Sequence, residues 1–164
     1  MHPISGPAWL VWLETSVLGE MMRKSAWMYP IVEIVHIVGF VILVGAVVMF
    51  DLRVLGLGRG LPVTALAHHL LRWSWVGLAL VVPAGLMMFT AHATEFATNP
   101  AFLLKLALLV TAAANVAFFH GVPFRSVSAW DVAGAAPGAA RGAAVLSIGV
   151  WIAVIACGRL IAYF

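Results

Sequence analysis

WMYPIVEIVHIVGFVILVGAVVMF, residues Trp27–Phe50, is the stretch on which the fold turns. A helix needs about 20 apolar residues, rising ~1.5 Å each, to cross a hydrocarbon core about 30 Å thick. This run has that length and, apart from the phenol of Tyr29, carries two ionisable side chains, Glu33 and His36. Three comparable runs follow, Leu70–Thr90, Ala101–Phe119 and Ala143–Phe164, each closed by polar or turn residues. The chain therefore reads as an all-α integral membrane protein, a four-helix bundle forming a single domain over residues 1–164.

Composition agrees. Of 164 residues, 64% are hydrophobic and 9% charged, and the mean hydropathy of +1.09 lies well above that of water-soluble domains. The pI of 9.6 does not point to nucleic acid, because the nine Lys and Arg residues gather at the ends of the apolar runs. Cys157 is the one cysteine, which excludes an internal disulfide and a thiolate metal cage. No phosphate loop, HExxH pair, dinucleotide fingerprint or serine nucleophile motif is present. Met1-His2-Pro3 does not open a cleavable signal, so the first span is expected to direct insertion.

Basic residues also suggest an orientation. The connections Asp51–Arg72 and His120–Gly142 hold Arg53, Arg59, Arg72, Arg125 and Arg141, whereas Ala91–Pro100 holds none. By the positive-inside rule both longer loops face the cytoplasm and both termini the periplasm. Arg23 and Lys24, just before the first span, oppose that bias. Upstream, Ala8–Met22 places Leu10, Leu13, Val17 and Met21 on one helical stripe, with Glu14, Ser16, Glu20 and Arg23 largely off it. With Trp9 and Trp12 in it and Trp27 after it, all suited to the headgroup zone, it reads as an amphipathic interfacial helix or as a packing arm over the bundle. Pro83 is expected to kink the second span. Asn99-Pro100 should cap the third, and small residues at Ala107/Thr111/Asn115 and Gly149/Ala153/Cys157 should form packing seams.

Ionisable side chains within spanning helices are candidates for function, since each costs free energy to bury. Glu33 and His36 share one face of the first span. Lys105 enters from the third and Arg159 from the fourth, all roughly 7–13 Å below the same boundary at helical rise. One chemistry that fits is a b-type haem, with His36 as axial ligand, Lys105 and Arg159 holding propionates, Glu33 tuning the imidazole, and Gly39 leaving room for the macrocycle. His92, at the outer end of the second span, is the candidate second ligand; His120 sits near the opposite face. A copper or zinc site of Glu33, His36 and His92 is the metal alternative. A second haem between His69 and His120 would extend the path across the membrane. The competing readings are an internal salt-bridge network that fixes helix register, or a proton or metal-ion passage. Asp51 and Arg53 read as a boundary anchor or surface ion pair, and Trp130-Asp131 as a point where its loop folds onto the bundle.

The segments Pro30–Gly39, Phe50–Leu57 and Asn99–Phe102 with Lys105, then Asn115, Phe119-His120, Trp130-Asp131 and Gly158–Phe164, resemble an uncharacterised bacterial family of small four-helix inner-membrane proteins, a domain of unknown function. The resemblance runs from about Trp9 to Phe164 and takes in Glu33, His36, Lys105, His120 and Arg159, but not His68, His69 or His92. In outline the chain is also similar to cytochrome b561-like and CopD-like membrane proteins. These likenesses imply a bacterial inner-membrane location. The function expected from residues and resemblance together is a haem-b electron-transfer component, with quinone or a periplasmic redox protein as partner. The alternatives are a structural subunit of a larger complex or homo-oligomer, and an ion transporter.

Overall fold

In a computed structural model, residues 6–132 and 134–163 are described, and among them every regular element is helical. Two short helices, α1 (Ala8–Glu14) and α2 (Val17–Lys24), precede α3 (Met28–Leu55) and α4 (Val63–Ala91). One turn, α5 (Ala93–Phe96), leads to α6 (Pro100–Gly121), a 3₁₀ segment Pro123–Ala129, and α7 (Gly138–Leu160), which tightens into 3₁₀ over Ile161–Tyr163. Among the described residues four helices are long and apolar enough to cross a membrane.

Local chemistry sets their ends. Helix α3 stops where Gly56 turns left-handed at φ 112°. Gly56 N–H then donates to the Arg53 carbonyl and Leu57 N–H to the Leu52 carbonyl, both at 3.0 Å, closing orphan carbonyls as a Schellman turn does. Asn99 caps α6 as its position suggests: Oδ1 accepts from Ala101 N–H at 3.0 Å and Phe102 N–H at 3.1 Å. Proline stands immediately before α4 and α7, at Pro62 and Pro137. The spans outrun their apolar cores: α4 begins at Val63 rather than Leu70, and α7 at Gly138 rather than Ala143. Polar side chains such as His68, His69 and Arg72 continue a helix into the headgroup zone without cost, so hydropathy alone cuts it short.

Helix α3 is the centre of the arrangement. It packs along α4 on one side and against α7 on the other, α7 packs on α6, and α4 shares no comparable interface with α6. The molecule is thus two hairpins, α3–α4 and α6–α7, joined through α3 and α7. Glycines set the α3–α4 distance. A Cβ on Gly39 would lie 2.7 Å from Leu80 Cβ and 2.9 Å from Val81 N, and one on Gly77 would lie 2.7 Å from the Gly39 carbonyl oxygen. The space beside Gly39, read from sequence as room for a macrocycle, is filled by α4. Between the hairpins, Leu43, Ala112, Val150, Trp151 and Val154 form the central apolar block.

Two packing expectations shift. The amphipathic segment is not one helix: Thr15 and Ser16 interrupt it, the Ser16 hydroxyl accepting from Gly19 N–H at 3.2 Å as a new cap. That break re-phases the face. Leu10, Glu14, Gly19 and Met22 are buried, while Val17 and Met21 from the expected stripe are exposed. On α7 the buried stripe is Ala143, Ser147, Val150, Val154 and Cys157, so Cys157 of the expected seam is buried while Gly149 and Ala153 lie one step off the stripe. On α6 it includes Ala112, while Ala107 and Thr111 are exposed.

Candidate functional site

The polar residues fall into three groups, which differ in how far the protein itself consumes their hydrogen-bonding capacity. The first is at the loop end. Arg53 is 4% exposed and Asp51 6%, so neither is a surface anchor, and no ion pair joins them among the described residues. The Arg53 guanidinium reaches across both connections. Nε donates to the Leu61 carbonyl at 2.7 Å, and Nη2 to those of Asp131 at 2.9 Å and Val132 at 3.2 Å, with Arg59 O at 3.4 Å. The Asp131 carboxylate accepts from Thr64 N–H at 2.8 Å and Thr64 Oγ1–H at 3.0 Å, and Val63 N–H donates to the Asp131 carbonyl at 3.0 Å. Trp130 is buried with Val54, Val63 and Phe119, so its loop folds onto the bundle as expected. Asp51 lies beside Ser147, with Oδ2 buried and unpartnered.

The second group ties the short N-terminal helices to the α4–α6 connection. Buried Glu14 accepts from Thr94 N–H at 3.0 Å and Thr94 Oγ1–H at 2.7 Å. Arg23 Nη1 donates to the Ala91 carbonyl at 2.9 Å and lies 4.0 Å from Glu14 Oε1. Asn99 Nδ2 adds a bond to the Ile161 carbonyl at 3.1 Å.

The third group is inside the spanning region near the terminal end, and its capacity is left over. His36 Nδ1 is 3.0 Å from the Val81 carbonyl. A carbonyl only accepts, so Nδ1 carries the proton and Nε2 keeps its lone pair in the neutral ring. The imidazole lies on α4 where Gly85 has no side chain: a Cβ there would come within 3.0 Å of His36 Cε1. Glu33, three residues earlier on the same helix, is exposed. The Lys105 ammonium lies against α7, with Nζ 3.7 Å from where a Gly158 Cβ would sit and near the Cys157 thiol. Among the described residues neither Lys105 nor Glu33 forms an ion pair, so the charge network expected to lock helix register is not made.

The remaining sequence candidates lie elsewhere. Arg159 is exposed and engages Tyr163, its Nη2 donating to the phenol oxygen at 2.8 Å with the ring 5.0 Å from Cζ. His92 ends α4, with Nδ1 3.6 Å from Glu95 Oε2 and its ring edge-on to Phe96. His120 is exposed at the end of α6, with Nδ1 donating to the Val116 carbonyl at 3.0 Å. Among the described residues no three His, Cys, Asp or Glu side chains gather as a metal ion requires, so Glu33, His36 and His92 do not form the expected set. Between His36 and Asp51, about 22 Å apart along α3 by helical rise, the interior is the apolar block around Leu43 and Trp151. Val81, Gly85 and Cys157 were missed as neighbours of the site. A glycine two residues after Pro83 was the only signal for any of them.

No curated protein and no solved structure matches the chain. A Family of unknown function (DUF6644) matches residues 9–164, nearly the whole chain. The chain belongs to that family.

Proposed function

We propose that the protein is a membrane redox component that carries a b-type haem in the terminal half of its spanning region, with His36 Nε2 as axial ligand. One observation carries this reading: the imidazole is oriented through Nδ1 on the Val81 carbonyl, leaving its second nitrogen without a partner among the described residues. Ligating histidines are commonly held by their other N–H in this way. Lys105 is the cation available to a propionate. Arg159 joins only by leaving Tyr163, and Gly39 plays no part because α4 occupies its face. Bound haem would supply one-electron chemistry. The chain's own residues would fix the ring nitrogen, neutralise a carboxylate and exclude water. The outline likeness to cytochrome b561-like and CopD-like proteins, the bacterial inner membrane with periplasmic termini, and exchange with quinone or a periplasmic partner belong to this reading.

The test is the absorption spectrum of purified protein after haem supplementation. A Soret band with visible bands that sharpen on dithionite is expected, abolished by His36→Ala and weakened in retention by Lys105→Met. A folded, colourless protein overturns the proposal.

A second reading, a subunit of a larger membrane assembly, is favoured by the outer groove of α6 and α7. Thr111, Ala114, Asn115, Ala139, Gly142 and Ala143 are among the residues that line an open volume of about 460 Å³ there. Small residues of this kind admit the backbone of another spanning helix. Replacing Ala114 by Leu should then lower the mass of the complex extracted in mild detergent; an unchanged mass removes this reading.

A further inference from the structure

At the loop end, a cavity of about 30 Å³ is bounded by three guanidinium-bearing residues, Arg53, Arg59 and Arg141, together with Gly56 and Gly134–Ala136. By the same measure one water needs roughly 10–15 Å³, so the space exceeds a single water. The charges around it are all of one sign. The ion pairs among the described residues are Arg23–Glu14, Lys24–Glu20 and His92–Glu95, so none of the three arginines meets a carboxylate. Asp131, in the second connection, is occupied by Thr64, and Asp51, buried two residues before Arg53, forms no ion pair with it among the described residues. Arg53 is held by backbone carbonyls, but Arg59 and Arg141 are exposed and donate no side-chain hydrogen bond among the described residues. Arg59 lies over Gly56, with Nη2 3.2 Å from where a Cβ would stand. A second feature has the same polarity: the cavity adjoins the start of α7, which has no side-chain cap and no acid in its first turn but does carry Arg141 there. Cations at that end oppose the helix dipole unless an anion neutralises them.

We propose that this cavity binds a phosphate group, the headgroup phosphate of an anionic lipid or that of a soluble phosphate compound. Arg59 and Arg141 clamp the oxygens by forked hydrogen bonds, and Arg53 supplies fixed charge behind them. The site stands at the membrane boundary of α3 and α7, where headgroups lie, and is independent of any haem at the other end.

Titration calorimetry of the purified full chain in neutral detergent tests it, with short-chain phosphatidylglycerol, short-chain phosphatidylcholine and inorganic phosphate as probes. Phosphatidylglycerol is expected to bind more tightly than phosphatidylcholine, with Kd raised about tenfold or more in Arg59→Gln/Arg141→Gln. Both arginines are exposed, so that variant should keep its helical circular dichroism. Arg125→Gln, an exposed arginine outside the cavity, should bind as wild type. Inorganic phosphate binding as tightly as the lipid assigns a soluble source, and binding only the lipid assigns a headgroup. Failure of every probe to bind, or equal lipid affinity in the double variant, overturns the proposal.

Discussion

Two polar clusters of the bundle, Arg53 with Asp131 and His36 with Lys105, treat their hydrogen-bonding capacity in opposite ways. At the loop end, Arg53 is saturated by carbonyls from both connections, and Asp131 is closed off by Thr64. Inside the terminal half, His36 uses one nitrogen and Lys105 has no ionic partner among the described residues. A charge consumed by backbone groups stabilises the fold, and its removal strands those groups without water. A polar group left with capacity adds little stability and is free to meet a ligand. The contrast separates architecture from site without reference to any bound molecule.

It breaks most visibly at Arg53. Arg53→Met should cost about 3 kcal/mol or more, because several buried carbonyls lose a charged donor. Unfolding in mixed detergent micelles measures this, and a loss below about 1 kcal/mol would erase the distinction between the ends. Next is the α3–α4 contact. Gly39→Ala should lower stability by about 1–3 kcal/mol through overpacking against Leu80 and the α4 backbone, whereas Gly45→Ala, with nothing within 4 Å of the added carbon, should leave stability unchanged or slightly raised. Equal effects at both glycines would mean the helices are not in contact as described. Glu14→Gln, which weakens the bonds from Thr94, should cost about 1–2 kcal/mol and increase amide exchange in the Ala93–Phe96 turn; unchanged exchange would leave the N-terminal helices unattached. The smallest effect belongs to the exposed Glu20–Lys24 pair at 2.8 Å. The hydrogen bond and charge of Lys24 hold the Glu20 carboxyl below its usual range. Its contribution is therefore present above the ordinary value of 4.5 and fades as pH falls through the lower folded value. Lys24→Gln should flatten that limb of a pH–stability profile, and a steeper limb would reverse the assigned sign.

The four spans were legible because the bilayer imposes length and apolarity together, a constraint each run satisfies by itself. The Asn99 cap and the inward fold of Trp130 were legible for a related reason, since residue type and position carry the signal. What escaped the sequence was long-range. Asp51 and Arg53 lie next to Leu55 and Gly56 at a helix end, so they read as surface anchors. Arg53 is covered by a connection some 78 residues away in the chain, and Asp51 lies beside Ser147 of α7. The amphipathic stripe failed because the Ser16 hydroxyl restarts the helix and rotates its face. At the candidate site the assignment of His36 to the first span and Lys105 to the third was legible. The partner carbonyl of Val81, the open face at Gly85 and the departure of Arg159 to Tyr163 depend on helix rotation, which periodicity in an almost uniformly apolar segment cannot specify.

Arg53 grips Leu61 of the first connection and Asp131 and Val132 of the second, so one side chain rivets the two hairpins at a single end. Any splaying of one hairpin from the other must therefore pivot there, with the widest excursion around His36 and Lys105. Paired spin labels at the two ends would record the asymmetry as a narrow distance distribution beside the rivet and a broad one opposite it.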